Sequence, residues 1–137
     1  MLNRIDELIA QHQEFAFETT LASRSFVLLC KSVQLKGYQI CLTFFRLDSA
    51  ELAIARVKQR VPEGGHNIPR ETIIRRYSSG IKNFLTLYKD VVNYWLFIDN
   101  SSTEQELIAE GKENSETNIY NKQKWASILK NAFNENN

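Results

Sequence analysis

Four arginines flank a glycine-containing loop, and their spacing suits the binding of phosphate groups. Arg56 and Arg60 are four residues apart, so they share one side of a predicted helix, at the border of its apolar stripe. Arg75 and Arg76 follow the loop at residues 62–69, in the next predicted helix. Guanidinium forks bind phosphate oxygens, and a Gly-Gly loop can absorb the backbone change of a closing lid. The pattern therefore predicts an anion-binding lid carried by two helices.

Two positions near this loop have a second interpretation. His66 lies beside the glycine pair, where it can bind phosphate or hydrogen-bond a nearby carbonyl. Arg76 flanks the apolar stripe of its helix, whereas Arg75 lies nearly opposite, in a row with Lys82 and Lys89. Such a row is typical of a solvated helix face. The sequence leaves both interpretations open for His66 and for Arg75.

Polar residues follow three predicted strands, at the position where ligands bind in open α/β sheets. These residues are Glu18 with Thr20, then Asp48, and finally Asp99 with Asn100. Asp48, with Glu51 three residues on, also resembles a capping box, and Asp99 can serve a turn. A carboxylate at the inner end of an apolar strand needs a partner, and Arg24 is the candidate for Glu18.

Alternating helices and strands must position these residues. Helical spacing and capping signals predict helices at residues 2–12, 21–36, 50–61, 69–91 and 125–133. Apolar runs predict strands at residues 15–19, 38–46 and 94–98, with a short edge strand at 119–120. Residues 103–117 are predicted as a polar excursion, weakly helical near residues 107–109. This order predicts the α/β class, with a parallel sheet flanked by helices on both faces.

Length and composition indicate one domain. The chain has 137 residues, and 43% of them are hydrophobic, too many for a disordered chain. Its apolar runs stop at about five residues, far short of the ~20 that a membrane span needs. We therefore expect no membrane partner. Cys30 and Cys41 are interpreted as reduced core thiols of a cytoplasmic protein.

The charge of the chain is uneven along its length. Residues 56–89 hold eight Lys or Arg against two Glu, although the net charge is +1. Basic stretches can bind nucleic acid, but single-strand binders interleave stacking aromatics with the basic residues. Because this stretch lacks that interleaving, we expect no nucleic-acid partner.

Four segments of the chain resemble the zeta-toxin-like P-loop kinases, in the branch described as predicted ABC-type ATPases. The similar segments are Phe15–Phe26, Leu52–Pro69, Ile73–Tyr77 and Trp95–Ser101. The resemblance runs from Leu2 to about Gly111. Its most specific part is Arg56–Pro69, which carries the paired arginines and the Gly-Gly-His run.

The resemblance implies an ATP-dependent kinase of small molecules, since zeta toxins phosphorylate UDP-N-acetylglucosamine with ATP and Mg²⁺. It implies that a phosphate acceptor, possibly a nucleotide sugar, contacts Glu18, Thr20 and Arg24, and we place His66 with them. It assigns the catalytic, phosphate-binding role to Arg60, Arg75 and Arg76. Asp99 and Asn100 match the turn near the nucleotide base, and no metal ligand is assigned.

The chain departs from this family in one respect. A phosphate loop reads Gly-x-x-x-x-Gly-Lys-[Ser/Thr], and no such run occurs, since Gly64-Gly65 are followed by His66. The resemblance then implies a truncated P-loop kinase-type sheet with a helical lid, the C-terminal two-thirds of one kinase domain. We place the lid at about residues 56–80 and a divergent C-terminal tail at residues 112–137.

Loss of the phosphate-loop strand would leave strand edges unpaired in the middle of the family sheet. We therefore expect a chain that is inactive alone and marginally stable or oligomeric. The alternative is a non-catalytic interaction protein, or half of a split kinase that needs an N-terminal partner chain. An antitoxin or a second copy of the chain are the other expected partners.

Overall fold

The computed structural model describes residues 2–134. The helices are α1 (Leu2–Ala10), α2 (Phe26–Leu35), α3 (Ala50–Arg60), α4 (Arg70–Asn83), α5 (Lys89–Val91) and α6 (Lys122–Asn134), with a π turn (Phe84–Tyr88) between α4 and α5. The strands are β1 (Cys41–Arg46), β2 (Tyr94–Asp99), β3 (Glu106–Lys112) and β4 (Asn118–Ile119). Among residues 2–134, no helix could cross a lipid bilayer.

One sheet contains the four strands in the order β1-β2-β3-β4. β1 pairs with β2 in parallel, in a register that places Cys41 opposite Tyr94 and Arg46 opposite Asp99. The other two pairs are antiparallel. Because parallel neighbours need a crossover connection, the chain between β1 and β2 forms α3, α4, the π turn and α5. β1 is consequently an edge strand, with β2 as its one neighbour among the described strands.

The main core lies between one face of the sheet and the helices from α4 to α6. Trp95 and Phe97 of β2 contact Phe84 of the π turn and Trp125 of α6 through their rings. All four side chains are buried. A smaller cluster joins α1 to α2 at the amino end of β1.

Part of the opposite face of the sheet is exposed. Side chains alternate along a strand, so Leu96 and Ile98 point away from the core that holds Phe97. Phe45 of β1 and Leu107 of β3 flank them and are 51% and 37% exposed. None of these four apolar side chains belongs to either hydrophobic cluster. We call the surface of Phe45, Leu96, Ile98 and Leu107 the open face.

The α/β class and the helix-flanked sheet are confirmed, but parallel pairing is limited to β1 and β2. The predicted polar excursion at residues 103–117 is wrong, because β3 occupies part of it and Ile108 is fully buried. Glu106 and Glu110 interrupt the apolar pattern of this strand, so the sequence does not predict it. Each of them is stabilised by residues far along the chain, which no local pattern shows.

The predicted strand at residues 15–19 is also wrong. Among the described residues, no backbone hydrogen bond joins this segment to another strand. Phe15 and Phe17 instead contact Tyr38 and Phe26 through their rings. An apolar run therefore packs by ring contacts where it has no strand to pair with.

The start of α2 and the capping residue of α3 differ from the sequence prediction, whereas the final helix and the edge strand at β4 are confirmed. α2 begins at Phe26 and not at residue 21, because carbonyl groups of the preceding residues accept hydrogen bonds from α4 and the π turn. α3 is capped by Ser49, whose hydroxyl accepts the Leu52 N–H, and not by Asp48. Asp48 pairs with Arg46 instead.

Candidate functional site

Side chains of α4 and the π turn hold the loop that contains the predicted acceptor residues. The Asn83 amide donates to the carbonyls of Leu21 and Ala22, at 2.7 and 3.1 Å. The Tyr88 hydroxyl donates to the Ser23 carbonyl at 2.7 Å. These bonds fix the loop backbone to the helix, so the loop keeps one position without being a strand.

Gly80 brings the same loop into direct contact with α4. A Cβ at Gly80 would lie 2.5 Å from the Thr20 carbonyl oxygen, so only glycine allows this approach. Arg76 precedes Gly80 by one helical turn and lies on the same side of α4, whereas Arg75 is rotated about 100° further. Both arginines are exposed. The structure therefore places Arg76, and not Arg75, on the side of α4 that contacts Thr20.

Glu18, Thr20 and Arg24 are exposed in this loop. The Thr20 hydroxyl accepts the Ala22 N–H at 3.3 Å, which forms a local turn. The predicted Glu18–Arg24 pair is not formed, and neither side chain has a polar partner among residues 2–134. Because the predicted strand is absent, the Glu18 carboxylate is in water and needs no internal partner. Both charged groups are available to a ligand.

Hydrogen bonds attach α3 and α4 to the carboxyl ends of the parallel strands. The Arg56 guanidinium donates to the Ser101 carbonyl at 3.0 Å, two residues after the end of β2. The Tyr77 hydroxyl donates to the Leu47 carbonyl at 2.7 Å, directly after β1. Arg56 is thus a structural contact of α3, and the last turn of α3 and the loop at residues 61–69 extend beyond these attachments.

The glycine pair ends α3 in a tight turn. The Gly65 N–H donates to the Arg60 carbonyl at 2.7 Å, and Gly64 has a φ of +94°. A Cβ at Gly65 would lie 2.8 Å from the Arg60 carbonyl oxygen, so this turn requires glycine. The side chains of Arg60 and His66 are exposed and have no polar partner in the described chain. Their role in a moving lid stays a prediction.

An ion-pair network lies at the carboxyl ends of β1 and β2. The Asp99 side chain is 4% exposed, and its Oδ2 lies 2.9 Å from Lys124 Nζ and 3.5 Å from Arg46 Nη1. Arg46 also pairs with Asp48 at 2.8 Å, and Lys124 pairs with Glu106 at 2.7 Å. The network joins β1, β2, β3 and α6, so it stabilises the end of the sheet where ligands bind in α/β proteins.

The Asp99 carboxylate is engaged on both oxygens. Ser101 donates its N–H and its hydroxyl to Oδ1. Burial raises the pKa of Asp99, but the bonds from Ser101 and Lys124 outweigh it and hold that pKa below its usual value. The bond to Glu106, with the one to Asp99, raises the pKa of Lys124 to about 12. The proposed contact of Asp99 and Asn100 with a nucleotide base stays a prediction.

One polar atom of this network is unsatisfied. Arg46 Nε is buried and has no hydrogen-bond partner among the described residues. A cavity of about 40 Å³ adjoins Arg46, Tyr77 and Ile128, which is enough for a water molecule. The cavity is too small for a nucleotide base.

The described residues do not fit a bound Mg²⁺-ATP. A phosphate loop needs consecutive free backbone N–H groups and a following lysine. The N–H groups of Gly64 and Gly65 already bond to the carbonyls of Val61 and Arg60, and His66 follows them. No group of three or more His, Cys, Asp or Glu side chains in residues 2–134 could hold a metal ion.

The fold and the site define an α/β protein in which two basic helices adjoin the carboxyl ends of a parallel strand pair. Residues 2–124 match the family described as zeta toxin, and the chain belongs to that family. A Haemophilus influenzae protein described as uncharacterized is 33% identical over 69 residues. The match covers 50% of this chain and 49% of that protein, so the chain spans about half the length of the curated relative it matches. No solved structure matches the chain.

Three residues of the network were missed in the sequence. The position of Arg46 in the sequence indicates an ion pair, because a charged residue at the end of the most apolar strand needs a partner. No local sequence pattern indicates Lys124 or Glu106, because Lys124 bonds to Glu106 and Asp99, 18 and 25 positions away along the chain.

Proposed function

We propose that this chain supplies the acceptor-binding and lid part of a zeta-toxin-type kinase that phosphorylates a small molecule, with a nucleotide sugar as the acceptor class. The close contact between Thr20 and Gly80 carries the proposal. Together with the Asn83 hydrogen bond, it fixes the loop that contains the predicted acceptor residues on the side of α4 that carries Arg76. Membership of the zeta toxin family supports a kinase-like, nucleotide-binding ancestry. The lid of the proposal comprises residues 56–80.

The chemistry of the exposed residues matches phosphoryl transfer. Arginines can neutralise the phosphate oxygens of a nucleotide sugar and of the transferred group, a role proposed for Arg24, Arg60 and Arg76. The free Glu18 carboxylate can accept a hydrogen bond from an acceptor hydroxyl. ATP is the proposed donor, and its phosphate loop is proposed to lie outside the residues of the given sequence, so these residues alone transfer no phosphate.

Calorimetric titration with UDP-N-acetylglucosamine tests the acceptor site. We expect the pure chain to bind it, and Arg76→Ala to weaken binding by about ten-fold, the effect of removing one charge-assisted contact. Lys130→Ala is the control, because Lys130 is an exposed basic residue of α6 outside the proposed site. Equal losses in both variants, or no binding by the wild-type chain, would contradict the proposal.

A second function is favoured by the unpaired edge of β1 and by the open face. We propose that the chain acts as an interaction partner, either as one half of a split kinase or without catalysis. In the described residues, Phe45 and Leu107 are exposed on the open face, and no strand pairs with the outer edge of β1. A cytoplasmic location and an antitoxin partner are proposed on the family alone.

A further inference from the structure

A polar cavity lies at the amino end of β2, the end of the sheet opposite the acceptor loop and the lid. Its volume is about 340 Å³, which is the size of a small-molecule site. α5 and Val92 form one side, and residues 112–115 and 117, which follow β3, form the other. Trp95 and Gly111 lie between the two sides. The cavity shares no residue with the site proposed for phosphoryl transfer.

The Trp95 indole supplies an unpaired donor to this cavity. Trp95 is 4% exposed, and its Nε1 donates to no group among the described residues. Ring contacts with Phe84 and Trp125, at centroid distances of 5.5 and 5.9 Å, fix the orientation of the indole. Gly111 pairs with Trp95 across the ladder, and a Cβ at Gly111 would overlap Nε1. Glycine therefore leaves the indole edge that carries the N–H uncovered beside the cavity.

Lys89 adds a positive charge next to this donor. Its Nζ lies 6.0 Å from the centroid of the Trp95 ring. Lys89 pairs with Asp90 at 3.2 Å, but Asp90 is exposed, and such surface pairs contribute little stability. The ammonium group can therefore pair with a ligand in the cavity. Since an indole N–H and an ammonium group donate and never accept, together they select a ligand with an oxyanion.

The charges around the cavity limit the charge of that ligand. Four charged residues line it, and their formal charges sum to zero: Lys89, Asp90, Lys112 and Glu113. Glu113 is engaged through one oxygen, which accepts a hydrogen bond from the Asn93 amide at 2.9 Å. Because two carboxylates adjoin the cavity, several negative charges on one ligand would be repelled. The site therefore suits a single carboxylate and disfavours a polyphosphate.

Three uncharged polar side chains complete the lining: Asn114, Ser115 and Thr117. In the part of the chain that the structure describes, none of these side chains has a hydrogen-bond partner. Amide and hydroxyl groups both donate and accept, as the hydroxyl groups of a ligand do. A ligand with hydroxyl groups beside its carboxylate would satisfy these side chains, whereas an apolar ligand would not.

We propose that this cavity binds a small hydroxylated carboxylate, whose oxyanion accepts the Trp95 indole N–H and pairs with Lys89. Neither residue belongs to the acceptor loop or to the lid, so the inference goes beyond the proposed kinase function.

Gluconate tests the site, and sorbitol is its uncharged counterpart of nearly the same shape. The chain contains two tryptophans, so proton–nitrogen correlation spectra of the isotope-labelled protein give two indole N–H signals. Trp95→Phe identifies the signal of Trp95. We expect gluconate to shift that signal saturably and to shift the signal of Trp125 less. Sorbitol should shift neither signal at the same concentrations.

Lys89→Met is the matched variant on the protein. Methionine keeps an aliphatic side chain beside the Trp95 ring and removes the charge, so we expect gluconate to bind about ten-fold more weakly. The core side chains stay unchanged in this variant, so it tests the site even where Trp95→Phe is unstable. Lys130→Met is the control, because Lys130 is exposed on α6 and does not line the cavity.

Three results would overturn the inference. The first is the absence of a saturable shift of the Trp95 signal with gluconate, which would leave the indole N–H to water alone. The second is equal binding of gluconate and sorbitol, which would exclude recognition of an oxyanion. The third is equal affinity of Lys89→Met and Lys130→Met for gluconate. Lys89→Met should bind UDP-N-acetylglucosamine normally, so this inference and the proposed function fail separately.

Discussion

Arg46 and Asp99 are register partners at the carboxyl ends of the two parallel strands, and their side chains approach to 3.5 Å. The pair lies where an α/β sheet places its ligand site, yet both charges are largely committed within the chain. Asp48 shares Arg46, and Lys124 shares Asp99. This end of the sheet is therefore stabilised by internal charges, and the charges available to a ligand lie on the acceptor loop and the lid.

Asp99→Asn should destabilise the protein by roughly 3 kcal/mol. That is the lower end of the cost of removing one partner of a buried ion pair, because Asp48 still neutralises Arg46. Urea unfolding at pH 7 measures the change. Asp90→Asn is the control, since Asp90 is exposed and pairs with Lys89 at the surface, where an ion pair contributes little. Equal stability of Asp99→Asn and the wild type would contradict the role of the network.

Stability should fall on acidification, with Asp99 as a main contributor. Its pKa is lower in the folded protein than in the unfolded chain, so the unfolded state binds the proton first as the pH falls. The contribution is complete above the unfolded pKa, ~4, and is lost as the pH falls through the folded value. Urea unfolding between pH 7 and 3 should show a shallower decline for Asp99→Asn than for the wild type. Parallel curves would exclude this contribution.

Tyr94, on the open-face side of the sheet, should ionise at an unusually high pH. The hydrogen bond that Tyr94 donates to Glu110, 2.6 Å long, raises the pKa of Tyr94 to about 12. Ultraviolet absorbance titration should therefore show a tyrosine step near pH 12. Burial also raises the pKa of Tyr88, and the bond to Glu110 that of Tyr120, but less. Glu110→Gln removes the carboxylate and should bring that step back toward ~10. A late step that persists in Glu110→Gln would assign it to a different tyrosine.

Most helix positions and the strands β1 and β2 could be predicted from apolar spacing, because those patterns repeat within a few residues. β3 could not, since Glu106 and Glu110 are stabilised by residues outside any local window. The segment Phe15–Thr19 has strand composition, but a strand also needs a neighbour, which its own sequence does not specify. For the site, the sequence predicted Arg76 and Thr20 as functional residues. It did not predict the contact of Gly80 with Thr20, which places both residues on the same side of α4.

Gly80→Ala distinguishes helix propensity from the loop contact. In an isolated helix this change stabilises by up to ~1 kcal/mol. Here the new Cβ would lie 2.5 Å from the Thr20 carbonyl oxygen, so we expect destabilisation and weaker binding of UDP-N-acetylglucosamine. Ser79→Ala, the neighbouring position, is the control and should change neither. A more stable Gly80→Ala protein with normal binding would show that the loop is not held as described.

Isothermal titration calorimetry of the pure wild-type chain with Mg²⁺-ATP tests the central claim most directly. The claim is that these residues bind the acceptor and carry the lid, while the triphosphate is gripped elsewhere. The same preparation that binds UDP-N-acetylglucosamine should give no binding heat with Mg²⁺-ATP. Saturable Mg²⁺-ATP binding at micromolar affinity would contradict the account, because it would require a phosphate cradle formed by this chain.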